Sequence, residues 1–144
     1  MFSKEESRQL RALFWTSFGK SFPRKWILYN TKIKGLSFKF YFDNKRAFVT
    51  LDIEDDLEQR INCWENLVSL KSILLNEYLP EAIYDESFFL ENGKEISRIY
   101  IPFNQKVSIH NKNSWQEVMV FFNSKMDLFE SFFNEYKDII NPKT

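Results

Sequence analysis

Glycine is scarce in this chain. Gly19, Gly35 and Gly93 stand singly, so neither a Walker nor a Rossmann phosphate-cradling loop can form. A lone cysteine, Cys63, excludes an internal disulfide, and with one histidine, His110, it cannot build the usual Cys/His zinc site. No G-x-S-x-G elbow occurs, which leaves His110 as the sole base for any Ser or Cys nucleophile. Beside Asn111, near the end of an expected strand, a structural or solvated role suits that histidine better. Long apolar runs are missing as well, since none approaches the roughly 20 residues that span a bilayer. The opening stretch MFSKEESRQL carries charge where a signal peptide would be apolar, so a cytoplasmic protein is the expectation.

Aromatic mass is what the chain has instead. Sixteen Phe, six Tyr and four Trp among 144 residues supply the core of a single domain spanning residues 1–144. Residues 36–53, LSFKFYFDNKRAFVTLDI, read as a β-hairpin. A turn at Asn44-Lys45 sets Phe42 opposite Ala47, Phe40 opposite Val49, Phe38 opposite Leu51 and Leu36 opposite Ile53. All of these apolar residues then share one face. Ser37, Lys39, Tyr41, Phe48, Thr50 and Asp52 share the other. A four-residue loop closed by Phe42 and Ala47 preserves the same pairs and does without the glycine that a type I′ turn prefers.

Helical spacing brackets this hairpin. Ser3 and Glu6 form a capping-box pattern ahead of Leu10, Leu13, Phe14 and Phe18, with Gly19 placed to stop the helix. Residues 26–29, WILY, read as a short strand. Asp55 and Glu58 open a second helix that carries Leu57, Ile61, Trp64, Leu67, Leu74 and Tyr78 and ends before Pro80. A second hairpin centres on Asn92-Gly93, with Tyr84 opposite Ile101 and Phe88 opposite Ser97. Its blurred alternation suggests a sheet edge or a bulge. Residues 106–110 read as a further short strand. From the S-x-x-E-like start at Ser114, a third helix of about 27 residues presents a wide apolar arc. That arc implies burial against another helix or a homodimer through Phe129, Phe133 and Tyr136. The expected fold is α+β, with an antiparallel sheet of four to six strands in two hairpins packed against three helices. Its order is α-β-β-β-α-β-β-(β)-α.

Charge is balanced overall, with 20 basic and 20 acidic side chains, but segregated. Residues 1–47 carry 11 basic and 3 acidic side chains, and residues 48–144 carry 9 and 17. An internal electrostatic match and a nucleic-acid surface both fit that asymmetry. Arg24, Lys25, Trp26, Lys39, Tyr41, Lys45 and Arg46 interleave cations with stacking aromatics, as single-stranded nucleic-acid binding needs, although no K/R-G-F pattern is present. The αβββαβ order of the first two-thirds resembles the core order of the PD-(D/E)XK nuclease superfamily. That likeness implies a Mg²⁺ site, for which Asp52, Glu54 and Asp55 are the candidates. Helix capping accounts for most of that acidic cluster, and the superfamily's D/E-x-K triplet is missing from the strand at residues 47–53.

A second likeness covers nearly the whole chain. Phe14-Trp15-Thr16-Ser17-Phe18-Gly19, Asn30-Thr31-Lys32-Ile33-Lys34-Gly35, Ser97-Arg98-Ile99, and Trp115 followed by Phe121-Phe122 resemble domain-of-unknown-function family 4268. Members are bacterial, standing alone or following nuclease-like domains. The resemblance implies an accessory role near nucleic-acid processing or defence and carries over no catalytic residue. Arg98 is the one polar residue of these segments singled out for function, with pairing to a carboxylate as its structural alternative. A non-enzymatic binding or assembly module is the reading preferred, and a divergent Mg²⁺-dependent nuclease the second.

Overall fold

A computed structural model of the protein describes residues 2–142. Helix α1 (Lys4–Ser21) leads to hairpin β1 (Leu36–Phe42) and β2 (Ala47–Ile53), then to α2 (Leu57–Ser69) and the single turn α3 (Lys71–Ile73). A π-helical turn (Leu74–Tyr78) precedes hairpin β3 (Ile83–Phe89) and β4 (Glu95–Pro102), and α4 (Trp115–Ile140) closes the order. The sheet is antiparallel throughout in the order β1-β2-β4-β3. It is α+β with four strands, the lower end of the expected range, and four helices where three were expected.

The first hairpin has the expected register, from Leu36 opposite Ile53 to Phe42 opposite Ala47. Asn44 and Lys45 keep negative φ, which rules out a type I′ turn, so the longer loop is the one formed. Asp43 Oδ1 accepts the amides of Lys45 and Arg46 and holds it closed. In the second hairpin Gly93, at φ +86°, takes the left-handed position of a three-residue loop. The three-residue loop moves Phe88 opposite Ile96 rather than Ser97, and a bulge between Asp85 and Phe88 adds one more residue, which places Tyr84 opposite Ile99 rather than Ile101. Without that extra residue, Phe88 would share the face of Tyr84 and point into the core.

Other local signals were outcompeted. The capping box at Ser3 forms, with Glu6 returning to the Ser3 amide. Gly19 lies inside α1, which runs two residues further. Asp56, rather than Asp55, caps α2 through the Gln59 amide. The second helix breaks at Leu70 (φ −99°, ψ 3°) and finishes as a π turn instead of running intact to Tyr78. Ser114 spends its hydroxyl on the Ser108 and Asn111 carbonyls, so no capping box opens α4.

Neither extra strand forms. Residues 26–29 bend through Leu28 at φ +47° and make only one bond to the sheet edge, from the Phe38 amide to the Leu28 carbonyl. The segment is held by α4 instead: Glu130 accepts the Ile27 amide at 2.6 Å and Arg24 Nη2 at 2.9 Å. Residues 106–110 are irregular, and Val107 and Ile109 are buried in the core.

All the long helices lie on one face of the sheet. Phe38 meets Phe129 and Phe133 with ring centroids 5.3 and 5.5 Å apart, and Phe14 packs edge-on to Phe42 at 4.7 Å and Trp115 at 5.4 Å. Most of the wide arc of α4 is therefore consumed within the chain, with Tyr136 half-buried and Ile139 48% exposed. Phe129 is fully buried and Phe133 nearly so, which removes them as a homodimer seam.

Gly35 joins the two charge regions. At φ +78°, a Cβ there would lie 2.9 Å from the Glu54 carbonyl oxygen, and the Gly35 carbonyl accepts the Glu54 amide at 2.7 Å. Gly35→Ala is expected to cost about 1–2 kcal/mol in backbone conformation alone, plus the displacement of Glu54. Urea denaturation should show a lower midpoint with an unchanged slope.

Candidate functional site on the outer sheet face

With the helices stacked on one side, the opposite side of the sheet is lined by its own side chains. Alternation sends Ser37, Lys39 and Tyr41 of β1, Phe48, Thr50 and Asp52 of β2, and Ile96, Arg98, Tyr100 and Pro102 of β4 to this outer face. The bulge in β3 adds Phe88.

At its centre Asp52 and Arg98 face each other across β2 and β4, the two middle strands. Arg98 donates side-on, from Nε to Oδ1 at 2.8 Å and from Nη2 to Oδ2 at 3.0 Å. Asp52 is fully buried and Arg98 only 3% exposed. Such a pair is stable only when its geometry is good and nearby groups close it off. Both conditions hold. The guanidinium carbon sits 4.1 Å from the Phe88 ring centroid, 5.1 Å from Tyr41 and 5.7 Å from Phe48. Burial works against the Arg98 charge, but the Asp52 hydrogen bond and field outweigh it and raise its pKa.

Lys39 extends the network. Its ammonium lies 3.5 Å from Asp52 Oδ2 and 2.6 Å from Glu54 Oε1, and Lys94 reaches Glu54 Oε2 at 3.4 Å. Burial again opposes the Lys39 charge, and the Glu54 hydrogen bond more than offsets it, so its pKa rises. The same hydrogen bond is the main cause that holds Glu54 below its ordinary value.

At the hairpin-loop end, the face dips into a slot of about 80 Å³ lined by Arg46, Ala47, Phe48, Phe88, Arg98, Tyr100, Pro102 and Phe103. Arg46 is two-thirds exposed and lies 5.1 Å over the Phe48 ring.

The eight residues proposed from sequence thus fall into two groups. Lys39, Tyr41, Lys45, Arg46 and Arg98 gather on the outer face or its loop. Arg24 and Trp26 lie on the helical side, where Arg24 pairs with Asp127 and Glu130 and covers the Trp26 ring, itself packed on Phe18 and Phe40. Lys25 is exposed beside them. The acidic cluster also disperses. Asp52 and Glu54 are taken by cations, Asp56 caps α2, and Asp55 accepts the Asp56 amide near Lys34. Among the described residues no three carboxylate, histidine or cysteine side chains converge on a metal position. Burial raises the Cys63 thiol to about 11, which makes it a poor nucleophile.

Three participants were not identified from sequence. Glu130 interrupts an apolar arc, a signal that an acid there must have a buried partner. Phe88 depends on a bulge that alternation alone cannot place. Arg60 is buried beneath Glu95, donating to both its backbone and side-chain oxygens.

The arrangement is that of a two-layer α+β fold with a single helical layer and a helix-free sheet face built around a desolvated ion pair. The chain matches the family described as Domain of unknown function (DUF4268) over residues 10–137 and belongs to it. No curated protein and no solved structure matches the chain.

Arg98→Leu leaves Asp52 buried with Lys39 as its remaining partner, and should cost about 3 kcal/mol, the lower end of the range for a broken buried pair. The double variant Asp52→Leu/Arg98→Leu should recover most of that loss. A double-mutant cycle by chemical denaturation measures the difference, and strict additivity would mean the pair is not coupled. Glu54 sets an acid limit. Its lowered pKa gives stabilisation that is complete above the ordinary value of 4.5 and lost as pH falls through the lowered one. The midpoint of unfolding of Glu54→Gln should therefore vary less with pH below about 4.5 than that of the parent chain.

Proposed function

We propose that this protein is a non-enzymatic binding module that docks single-stranded nucleic acid on its outer sheet face. The observation that carries this reading is the helix-free face on which Tyr41, Phe48, Phe88 and Tyr100 lie among Lys39, Arg46 and Arg98. Aromatic rings that present a face or edge to solvent stack with bases irrespective of sequence, and cations alongside them track the phosphates. Among the described residues no helix is long and apolar enough to cross a membrane, and no metal cluster competes for this surface.

The cations differ in what they can contribute. Lys39 and Arg98 are committed to Asp52 and Glu54, so they hold the platform together. Arg46 is two-thirds exposed with one loose contact to Asp43 at 3.8 Å, and Lys45 is exposed with no carboxylate within 4.0 Å among the described residues. Phosphate contact is assigned to this pair. The charge-reversal test accordingly uses Lys45→Glu/Arg46→Glu and leaves Lys39 intact, because reversing Lys39 would set three acids together.

Fluorescence anisotropy with a labelled single strand of about 16 nucleotides tests the reading. Neutralising two phosphates with this pair implies an affinity loss of roughly 7-fold between about 50 and 200 mM salt. Lys45→Glu/Arg46→Glu should weaken binding and flatten that salt dependence. No binding at low salt, or equal binding by the double variant, would refute the proposal.

A further inference from the structure

The slot beside the ion pair has a chemistry of its own. Its lining holds two arginines, four aromatic rings, a proline and no carboxylate. At about 80 Å³ it is well below the roughly 300 Å³ at which pockets begin to hold a whole small-molecule ligand, so it admits one planar group and no more. Phe48 is fixed within it by a near-parallel stack on Tyr41, centroids 4.7 Å apart and planes at 16°, and by an edge contact with Tyr100 at 6.1 Å.

Arg98 is fixed as well. Asp52 takes its Nε and Nη2, and Tyr41 Oη lies 3.3 Å from Nη2. Nη1 has no hydrogen-bond partner among the described residues and stays accessible from the slot, although most of the side chain it belongs to is buried. A donor held rigid in an apolar wall, with its other nitrogens satisfied, suits a neutral or anionic acceptor on an incoming ring. The exposed Arg46 guanidinium at the rim can then meet the phosphate attached to the same nucleotide.

We infer that this slot is a nucleotide subsite that seats one unstacked base, with Tyr100 as its stacking wall, the unpartnered Arg98 Nη1 as its donor and Arg46 at the phosphate. The inference rests on the nucleic-acid reading above and adds a base-dependent component to it. Stacking is sequence-tolerant, so the subsite takes purines and pyrimidines alike and distinguishes a strand that bears bases from one that does not.

The test compares a labelled single strand with a strand of equal length made entirely of abasic sugar-phosphate, at one salt concentration. The parent protein should bind the base-bearing strand about 5- to 160-fold more tightly, the range that corresponds to one stacked base. Tyr100→Ala should shrink that ratio towards one while leaving affinity for the abasic strand unchanged. Lys45→Glu/Arg46→Glu should weaken both strands together. Tyr100→Leu retains apolar cover without a stacking face and gives the same reading should the alanine variant fail to fold.

Equal binding of the two strands, with steep salt dependence retained, overturns the subsite and leaves the module reading standing. Binding of neither strand overturns that reading itself. A polyglutamate peptide that binds as tightly as the base-bearing strand also overturns the subsite, since the surface would then be reading charge alone.

Discussion

The Asp52–Arg98 pair is the constraint around which the outer half of the molecule is arranged. It spans the seam between the two hairpins, where β2 meets β4, and among the described residues that seam is the only strand pairing that joins them. An unpaired charge at either position would be untenable at this depth, so the pair demands that the hairpins meet in one register. A one-residue slip between β2 and β4 would send Asp52 or Arg98 into the helical layer among Leu51, Ile99 and Phe129. The apolar face resists that slip through lost burial, and the ion pair resists it through desolvated charge. Two different penalties thus enforce one register.

The environment of the pair accounts for features that look arbitrary in isolation. The β3 bulge re-aims Phe88 to lie 4.1 Å from the guanidinium, where regular alternation would have buried it on the other side. It also kinks an edge strand that would otherwise offer a regular ladder to a neighbouring chain. Lys39 and Lys94 join Arg98 around Asp52 and Glu54, three cations to two carboxylates, so the network keeps one net positive charge. Its rings are held by contacts with one another and with Arg98, as a stacking platform needs, because mobile rings would lose on ordering much of what they gain on contact.

Much of this was legible in the sequence wherever one physical signal dominated. Strict alternation over residues 36–53 gives the first hairpin residue by residue, since an error there would expose every apolar side chain. The second hairpin, with the stronger turn dipeptide, was misregistered, because Asn92-Gly93 serves a three-residue loop and β3 carries an extra residue ahead of it. Residues 26–29 have strand composition, yet Glu130 on α4 binds their backbone before the sheet edge can. No local pattern reports a competitor a hundred residues away. Asp52 was weighed as a metal ligand, and Arg98 as a functional residue or as the partner of an unnamed carboxylate. Each is explained by the other, and only the register between hairpins reveals it.

Charge segregation along the chain resolves in the same way. Arg24 meets Asp127 and Glu130, Lys34 lies 3.8 Å from Asp55, and Lys39 meets Asp52 and Glu54, so the basic third closes on the acidic remainder. Three of the eleven cations of residues 1–47 are thereby paired with acids of the remainder. What survives on the outer face is concentrated at the hairpin loop, where Lys45 and Arg46 are followed directly by Ala47 and Phe48 of the slot. Cation and ring are brought within one nucleotide's reach by chain continuity, with no further packing required to align them. The loop is also the one part of the hairpin with no cross-strand partner to satisfy, so its charges can serve a ligand without weakening the sheet that presents them.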